Sequence, residues 1–470
     1  MKEINHIHML GVGGTGMGSL ARLLKQAGYK VSGSDKKLYP PMSDQLAELN
    51  IKIYEGFSEK NLEDKPDLVV IGNVITKDNI EAQQVLKREI PYISMPQALS
   101  KFFLNSRTPI VVAGTHGKTT TSMLLAWCFF SAGKEPGFFI GGVGNNFKKT
   151  ADIGKGSPFI IEGDEYDTAF FDKGPKFLHY SPKIVLLTSV EFDHGDIYKD
   201  LEQIKKAFAK LISIIPSDGL LVYNGDDENI RELVKASKIR SLSYGMSPVL
   251  DYFPSSFSFS GNGTSFHLKG PNLSTNFNFA MFGEHNLQNA MGVIAVLKEL
   301  GMSDEDIEKG LTTFLGVRRR QEIAAEIKSI TIVDDFAHHP TAVAKTIQAI
   351  KVKFPERRLW AIFEPRSNTS RRNIFKEEYV AALSKADRVV IGDVYCSEKI
   401  PSDERLDVRG VAAKIMRKGI DAHYIPNTEF IIEFLMRNVN KNDVILVMSN
   451  GDFNNLISKI KEGLNKRKIV

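Results

Sequence analysis

Cysteine is scarce: Cys128 and Cys396 are the only two in 470 residues. That excludes a disulfide framework and makes a thiolate metal site an unpromising reading. Long apolar runs are missing as well, and the start MKEINHIHML leads straight into a glycine turn. We therefore expect no signal peptide, no membrane span and no membrane partner, and a cytoplasmic location. Nor does one sign of charge dominate, with 61 Lys and Arg against 56 Asp and Glu. A surplus of five makes no case for nucleic acid and suits small anionic substrates. Internal repeats, heptads and low-complexity tracts are absent too. What remains is an ordinary globular composition, 42% hydrophobic and 25% charged, at a length that suits about three domains.

Three blocks follow from the patterning. In the first, short apolar runs (HIHML, YKVSGSD, DLVVIGNV, IPYIS) alternate with helix-like stretches such as GMGSLARLLKQAG and NIEAQQVLKRE. That alternation predicts a parallel sheet with helical crossovers. NSRTP at 105 to 109 reads as a linker before the second block, which runs through PIVVAG, FIIEGDEYD and KIVLLTSVEFDH. Within that block, SFSFSGNGTSFHL alternates polar with apolar residues around an Asn-Gly turn, predicting small antiparallel strands. After LGVRRRQ the pattern returns to strands followed by loops and helices. The expected fold class is α/β: a Rossmann-like first domain over 1–106, a central P-loop domain over 107–317 with a parallel sheet plus a small antiparallel one, and a Rossmann-like α/β domain over 318–470.

Two glycine-rich turns suggest two anionic ligands. The first, GVGGTGMG, places Gly11, Gly13, Gly14, Thr15 and Gly16 between a strand and a helix, with Ser34 and Asp35 ending the next strand. Glycines permit the tight turn and the helix amino end attracts a diphosphate. Read alone, it fits a nicotinamide cofactor, another nucleotide or close helix packing. The second, GTHGKTTT, supplies Gly114, Thr115, His116, Gly117, Lys118, Thr119 and Thr120. Backbone amides there suit a β-phosphate, Lys118 the γ-phosphate, and the Thr119 hydroxyl a magnesium ion. The usual phosphate loop carries a further glycine where this chain has Val112.

A divalent ion needs more oxygen ligands. EGDEYD offers Glu162, Asp164, Glu165 and Asp167, and EFDHGD offers Glu191, Asp193, His194 and Asp196, each set following an apolar strand. In an open parallel sheet such strand ends lie on the cradle side, though most acids in loops are simply solvated or cap helices.

In this order, GVGGTGMG, GTHGKTTT, EGDEYD, EFDHGD, GEHNLQNA, RRRQE and DDFAHHPT resemble the Mur ligases of bacterial cell-wall synthesis, over nearly the whole chain. The shortened cradle is normal in that family. The resemblance implies a UDP-sugar domain, a central ATPase and a third domain bringing the amine. It assigns ATP to GTHGKT and the UDP diphosphate to the upstream turn. It implies Lys118 on the γ-phosphate, Thr119 and Glu162 on one magnesium ion, and His194 on a second. His285, Asn286 and Asn289 would meet adenine, while Arg320 and Asp335 would reach phosphate and ribose. A carbamylated lysine of some relatives falls near Lys210, where a plain surface lysine is the preferred reading. His338 and His339, before Pro340, fit a helix start.

The implied chemistry is amide formation. ATP activates the lactyl carboxylate of UDP-N-acetylmuramate as an acyl phosphate, which an amine then attacks. Two branches share that acceptor, one adding L-alanine and one joining the murein tripeptide L-alanyl-γ-D-glutamyl-meso-diaminopimelate. YPPMS (39 to 43), AFFDKGPKFLHYSP (169 to 182) and EPRSNTSRR (364 to 372) resemble the tripeptide branch, with Arg366, Arg371 and Arg372 as a carboxylate clamp. The chain is expected to be a monomer or weak homodimer. An NAD-dependent oxidoreductase would leave GTHGKT idle, and a GTPase-like module would leave the muramate features idle.

Overall fold

The computed structural model describes residues 3–38, 42–193, 195, 197–261 and 263–467. Strands β1 (His6–Leu10), β2 (Lys30–Asp35), β3 (Lys52–Glu55), β4 (Leu68–Ile71) and β5 (Tyr92–Ser94) form a wholly parallel sheet in the order β3-β2-β1-β4-β5. The chain reverses its direction of travel across the sheet at β1 and β4, and the crevice outside their carboxyl ends is where ligands bind in such folds. Gly11, immediately after β1, occupies that place and adopts φ 81°, a left-handed conformation that glycine takes without strain.

Seven strands build the second sheet: β6 (Thr108–Ala113), β7 (Gly137–Phe139), β8 (Ala151–Asp152), β9 (Pro158–Gly163), β12 (Ile184–Leu187), β13 (Leu220–Asn224) and β14 (Ser241–Tyr244). Their order is β14-β13-β12-β6-β9-β7-β8, parallel except for the β7/β8 pair. Alternate residues of β6 enter different cores. Ile110 and Val112 pack with helices Lys118–Ser131 and Glu284–Glu299, while Val111 and Ala113 face the side holding helix Leu201–Ser213. Period-two burial on both faces is why these strands read as unbroken apolar runs. A hairpin, β10 (Asp167–Ala169) and β11 (Asp172–Pro175), projects from this part of the chain. The alternating stretch folds as predicted into three antiparallel strands, β15 (Phe253–Ser260), β16 (Gly263–Gly270) and β17 (Leu273–Phe279); Asn262 of its Asn-Gly turn lies outside the described residues.

The third sheet combines β18 (Glu322–Ile327), β19 (Ile330–Asp335), β20 (Leu359–Phe363), β21 (Arg388–Ile391), β22 (Asp421–Tyr424) and β23 (Val444–Met448), in the order β18-β19-β23-β20-β21-β22. All pairs but β18/β19 are parallel. Helix Pro340–Lys353 leaves β19 with Pro340 in its first turn and His339 as cap, as the His-His-Pro run predicts, since proline's fixed φ suits a helix start. Both cysteines are free, Cys128 buried and Cys396 partly exposed. Among the described residues no helix is long and apolar enough to cross a membrane.

Candidate active site

At the first turn the backbone amides of Gly11 and Val12 donate to the Ser34 carbonyl at 2.8 and 3.2 Å, and Gly13 N–H donates to Asp35 Oδ2 at 2.8 Å. The following helix, Thr15–Gln26, has Gly14 at its cap and no side-chain capping bond. Its first amides are thus left for an anion. Gly13 and Thr15 face the cavity described below, and Gly14 is exposed. The Ser34 side chain is fully buried, and its hydroxyl has no partner among the described residues. Its carbonyl supports the turn by accepting from Gly11 and Val12.

The phosphate loop is pinned to the neighbouring strand's exit. Thr115 N–H donates to Ser189 O at 2.9 Å, and His116 N–H donates to Ser189 Oγ at 2.9 Å. A Cβ on Gly114 (φ 132°) would sit 2.3 Å from Thr188 Oγ1, and one on Gly117 (φ 83°) would sit 2.8 Å from Asn289 Oδ1. Glycine at both positions therefore follows from backbone conformation and from close approach. Lys118 opens helix Lys118–Ser131, and its ammonium donates to Gly114 O at 2.6 Å and to Glu165 Oε2 at 2.9 Å. Burial disfavours the Lys118 charge, but Glu165, Asp164 and Glu162 outweigh it and raise its pKa. Lys118 therefore stays cationic.

Thr119 and Glu162 converge, as the resemblance implies. The register sets Glu162 of β9 beside Val112 of β6, and Thr119 Oγ1 donates to Glu162 Oε1 at 2.7 Å while Gly141 N–H holds Oε2 at 2.7 Å. Burial and the neighbouring Asp164 raise the Glu162 pKa, a like-charge arrangement that a cation relieves. A hydroxyl and a carboxylate are hard oxygen donors of the kind magnesium takes. His194 and Asp196 lie outside the described residues, as do Tyr39, Pro40 and Pro41 of YPPMS. Thr120 is buried at the helix start. Lys210 is exposed, in the last turn of helix Leu201–Ser213, as expected of a surface lysine.

Helix Glu284–Glu299 carries the next group. Asn286 donates to Phe282 O at 2.8 Å, and Asn289 is buried against Gly117. His285 Nε2 lies 3.0 Å from Gln321 Nε2, which is its donor, and burial together with Lys345 lowers the imidazole pKa to about 3. Asp335, at the end of β19, accepts from Gln321 N–H and Ala337 N–H, both at 2.8 Å. Burial raises its pKa against the opposing pull of Arg320. Arg320 lies over the Phe336 ring at 4.8 Å. Arg319 is instead held by the carbonyls of Ser449 and Gly451, at 2.6 and 2.5 Å.

Gly13, Lys118, Glu162, Asn289, Arg320 and Asp335 all line one cavity of about 800 Å³. Reading the sequence did not single out Glu165, Ser189 or Gln321. Glu165 was one of eight undifferentiated acids, and only the fold brings it to Lys118. The three arginines do not form one clamp here. Arg366 pairs with Asp452 at 3.0 Å and stacks on Tyr395 at 3.9 Å, Arg371 is held by Asn368 and the Tyr395 carbonyl, and Arg372 by Glu404. None of the three lines the 800 Å³ cavity.

Comparison with known proteins agrees with this geometry. Residues 6–107 match the Mur ligase family catalytic domain, 112–297 the Mur ligase middle domain, and 319–451 the Mur ligase glutamate ligase domain. The UDP-N-acetylmuramate–L-alanyl-γ-D-glutamyl-meso-2,6-diaminoheptandioate ligase of Escherichia coli K12 is 37% identical, over 98% of each chain. Among solved structures, a murein peptide ligase of Psychrobacter arcticus superposes with a TM-score of 0.72 at 32% identity, covering 99% of this chain and 100% of that one. The UDP-N-acetylmuramate–alanine ligase of Thermotoga maritima gives 0.80 at 25% identity with the same coverage. An uncapped helix start, a shortened phosphate loop and a third-sheet aspartate sharing one cavity, with these matches along the sequence, identify the chain as a member of the Mur ligase family.

Proposed function

We propose that this chain joins the lactyl carboxylate of UDP-N-acetylmuramate to the amino end of L-alanyl-γ-D-glutamyl-meso-diaminopimelate, consuming ATP, in peptidoglycan recycling. The observation that carries the reading is the single 800 Å³ cavity on which the first turn, the phosphate loop and Asp335 all open. The whole-length likeness to the E. coli tripeptide ligase supports the choice of amine.

Residues 1–106 would hold the UDP-sugar, 107–317 ATP, and 318–470 the peptide. An ionised carboxylate is a poor electrophile, so its oxygen first bonds to the γ-phosphorus while the bond to the ADP oxygen breaks. The amine nitrogen then bonds to the acyl carbon, the carbon–oxygen bond to phosphate breaks, and a nitrogen proton leaves. Lys118, released from Glu165, balances charge on the transferring group. Thr119 and Glu162 would hold a magnesium ion, which when bound neutralises phosphate oxygens, and His194 belongs to a second such position. Gly114 to Thr120 position the phosphates, His285, Asn286 and Asn289 the base, and Arg320 and Asp335 the far side of the nucleotide. Gly11, Gly13, Gly14, Thr15, Gly16 and Asp35 shape the diphosphate turn, while Arg366, Arg371 and Arg372 meet peptide carboxylates only after exchanging their present partners.

The deciding assay is phosphate release from ATP with UDP-N-acetylmuramate and either the tripeptide or L-alanine. Turnover with the tripeptide and none with L-alanine is expected. Turnover with L-alanine alone transfers the chain to the alanine-adding branch, whose Thermotoga structure superposes well.

A further inference from the structure

His116, Glu191 and His339 meet where the phosphate loop faces the third sheet's first helix, and the set shares no residue with the Thr119 and Glu162 pair. One ligand atom from each lies within 4.8 Å of the others. His116 Nε2 is buried with no hydrogen bond among the described residues, 3.5 Å from Glu191 Oε2, and His339 Nδ1 is 3.7 Å from that same oxygen. Those spacings are long for hydrogen bonds. They are close to the separation of about 3.3 Å between two ligands of one tetrahedral zinc ion with bonds near 2 Å.

The surroundings orient the donors. His339 Nε2 is 3.2 Å from the Phe192 carbonyl, which can only accept, so the ring proton resides there and the Nδ1 lone pair turns to Glu191. Thr341 Oγ1 donates to Glu191 Oε2 at 2.6 Å. A histidine whose second nitrogen donates to a carbonyl, beside a hydrogen-bonded carboxylate, is the supporting arrangement of metal sites. The competing interaction is weak, since Thr341 N–H reaches His339 Nδ1 at 3.4 Å. Two imidazoles and one carboxylate select a borderline-soft ion over magnesium.

We propose that His116, Glu191 and His339 form a binding site for a divalent transition-metal ion of the zinc class, which ties the phosphate loop to helix Pro340–Lys353. The ion's fourth position is left to water.

Cobalt(II), which gives visible absorption in four-coordinate sites, serves as the probe. Full-length protein without nucleotide is titrated with Co²⁺ in excess Mg²⁺, and the melting temperature is followed with Zn²⁺. One equivalent of four-coordinate absorption, displaced by Zn²⁺, and a rise in melting temperature are expected of the parent. His339→Asn retains a helix-capping oxygen and should lose the absorption and bind Co²⁺ at least tenfold more weakly. Glu191→Gln, measured in parallel, should do the same, so a folding failure in one variant leaves the other to decide. Glu162→Gln should leave the absorption intact. Absence of the signal in the parent, its survival in a folded His339→Asn or Glu191→Gln protein, or its loss in Glu162→Gln overturns the proposal. Binding is read without substrates, so it fails or holds separately from the ligase reading.

Discussion

Lys118 sits in a position that its own motif does not describe. A phosphate-loop lysine is there to meet phosphate, yet this one is buried against Glu165 at 2.9 Å. A triphosphate must take over that carboxylate's role, so the lysine is kept charged and in place before nucleotide arrives. Lys118→Ala should lower kcat for phosphate release at least about 10²-fold, the scale seen when a preorganised charge stabiliser is removed; parental turnover would refute the role. His285 makes a separate prediction. Its folded pKa of about 3 lies below the ordinary imidazole value of about 6.5, so the unfolded chain binds the proton more readily and its contribution, complete above about pH 6.5, is lost as pH falls toward 3. Thermal unfolding should show the parent losing stability relative to His285→Gln across that window. At this scale the sequence was partly legible. Lys118 and Thr119 announce themselves because strand, GKT and helix coincide, whereas Glu162 stands out from the neighbouring acids only through the family resemblance, and nothing in the sequence shows that the Ser34 side chain is buried.

The elements that carry these residues were read largely from local pattern, and the misses arise where local pattern is silent. Apolar runs mark most of the long parallel strands because both faces are covered, although β2 (KVSGSD) is an exception, and the alternation of SFSFSGNGTSFHL marks an antiparallel sheet whose packed face comes from β16 and β17. The β10/β11 hairpin left no such mark: its strands are three and four residues long and include Asp167, Asp172 and Lys173. Its tip has a packing role. Phe170 and Phe171 pack against the first sheet's cluster around Leu62, Val69 and Val85, with Phe171 edge-on to Tyr92 at 5.0 Å. Part of the segment that resembles the tripeptide branch therefore joins the first and second sheets. Phe171→Ala should cost about 1–3 kcal/mol, as loss of a largely buried ring does, and should make limited proteolysis between residues 99 and 109 faster. The phosphate loop responds to a smaller change. Gly117→Ala forces a left-handed residue and pushes a methyl group toward Asn289, a strain of roughly 1–3 kcal/mol, and should weaken nucleotide binding in a calorimetric titration more than it lowers the melting temperature.

For the whole molecule, the seam between the second and third sheets decides whether the cavity is complete. Strand order and domain apposition depend on contacts far apart in sequence, and no spacing in the chain encodes that Thr341 meets Glu191 across 150 positions. Among the described residues, the hydrogen bonds that cross this seam near the phosphate loop include Thr341 Oγ1 to Glu191 at 2.6 Å, His339 Nε2 to the Phe192 carbonyl at 3.2 Å, and Gly195 N–H to Thr369 Oγ1 at 3.4 Å. The first is the shortest and ends on a carboxylate. Hydrogen bonds to charged groups contribute about 1.5–3 kcal/mol, and 1.4 kcal/mol is a tenfold change in an equilibrium. Thr341→Val preserves shape and removes the donor. If this bond holds the third domain over the nucleotide, the variant should populate open forms about tenfold more, with a larger radius of gyration in small-angle scattering and turnover reduced by a similar factor at saturating substrate. Its melting temperature should change little, because each sheet keeps its own core. A variant that turns over normally in a closed arrangement would place the control of closure elsewhere on the seam.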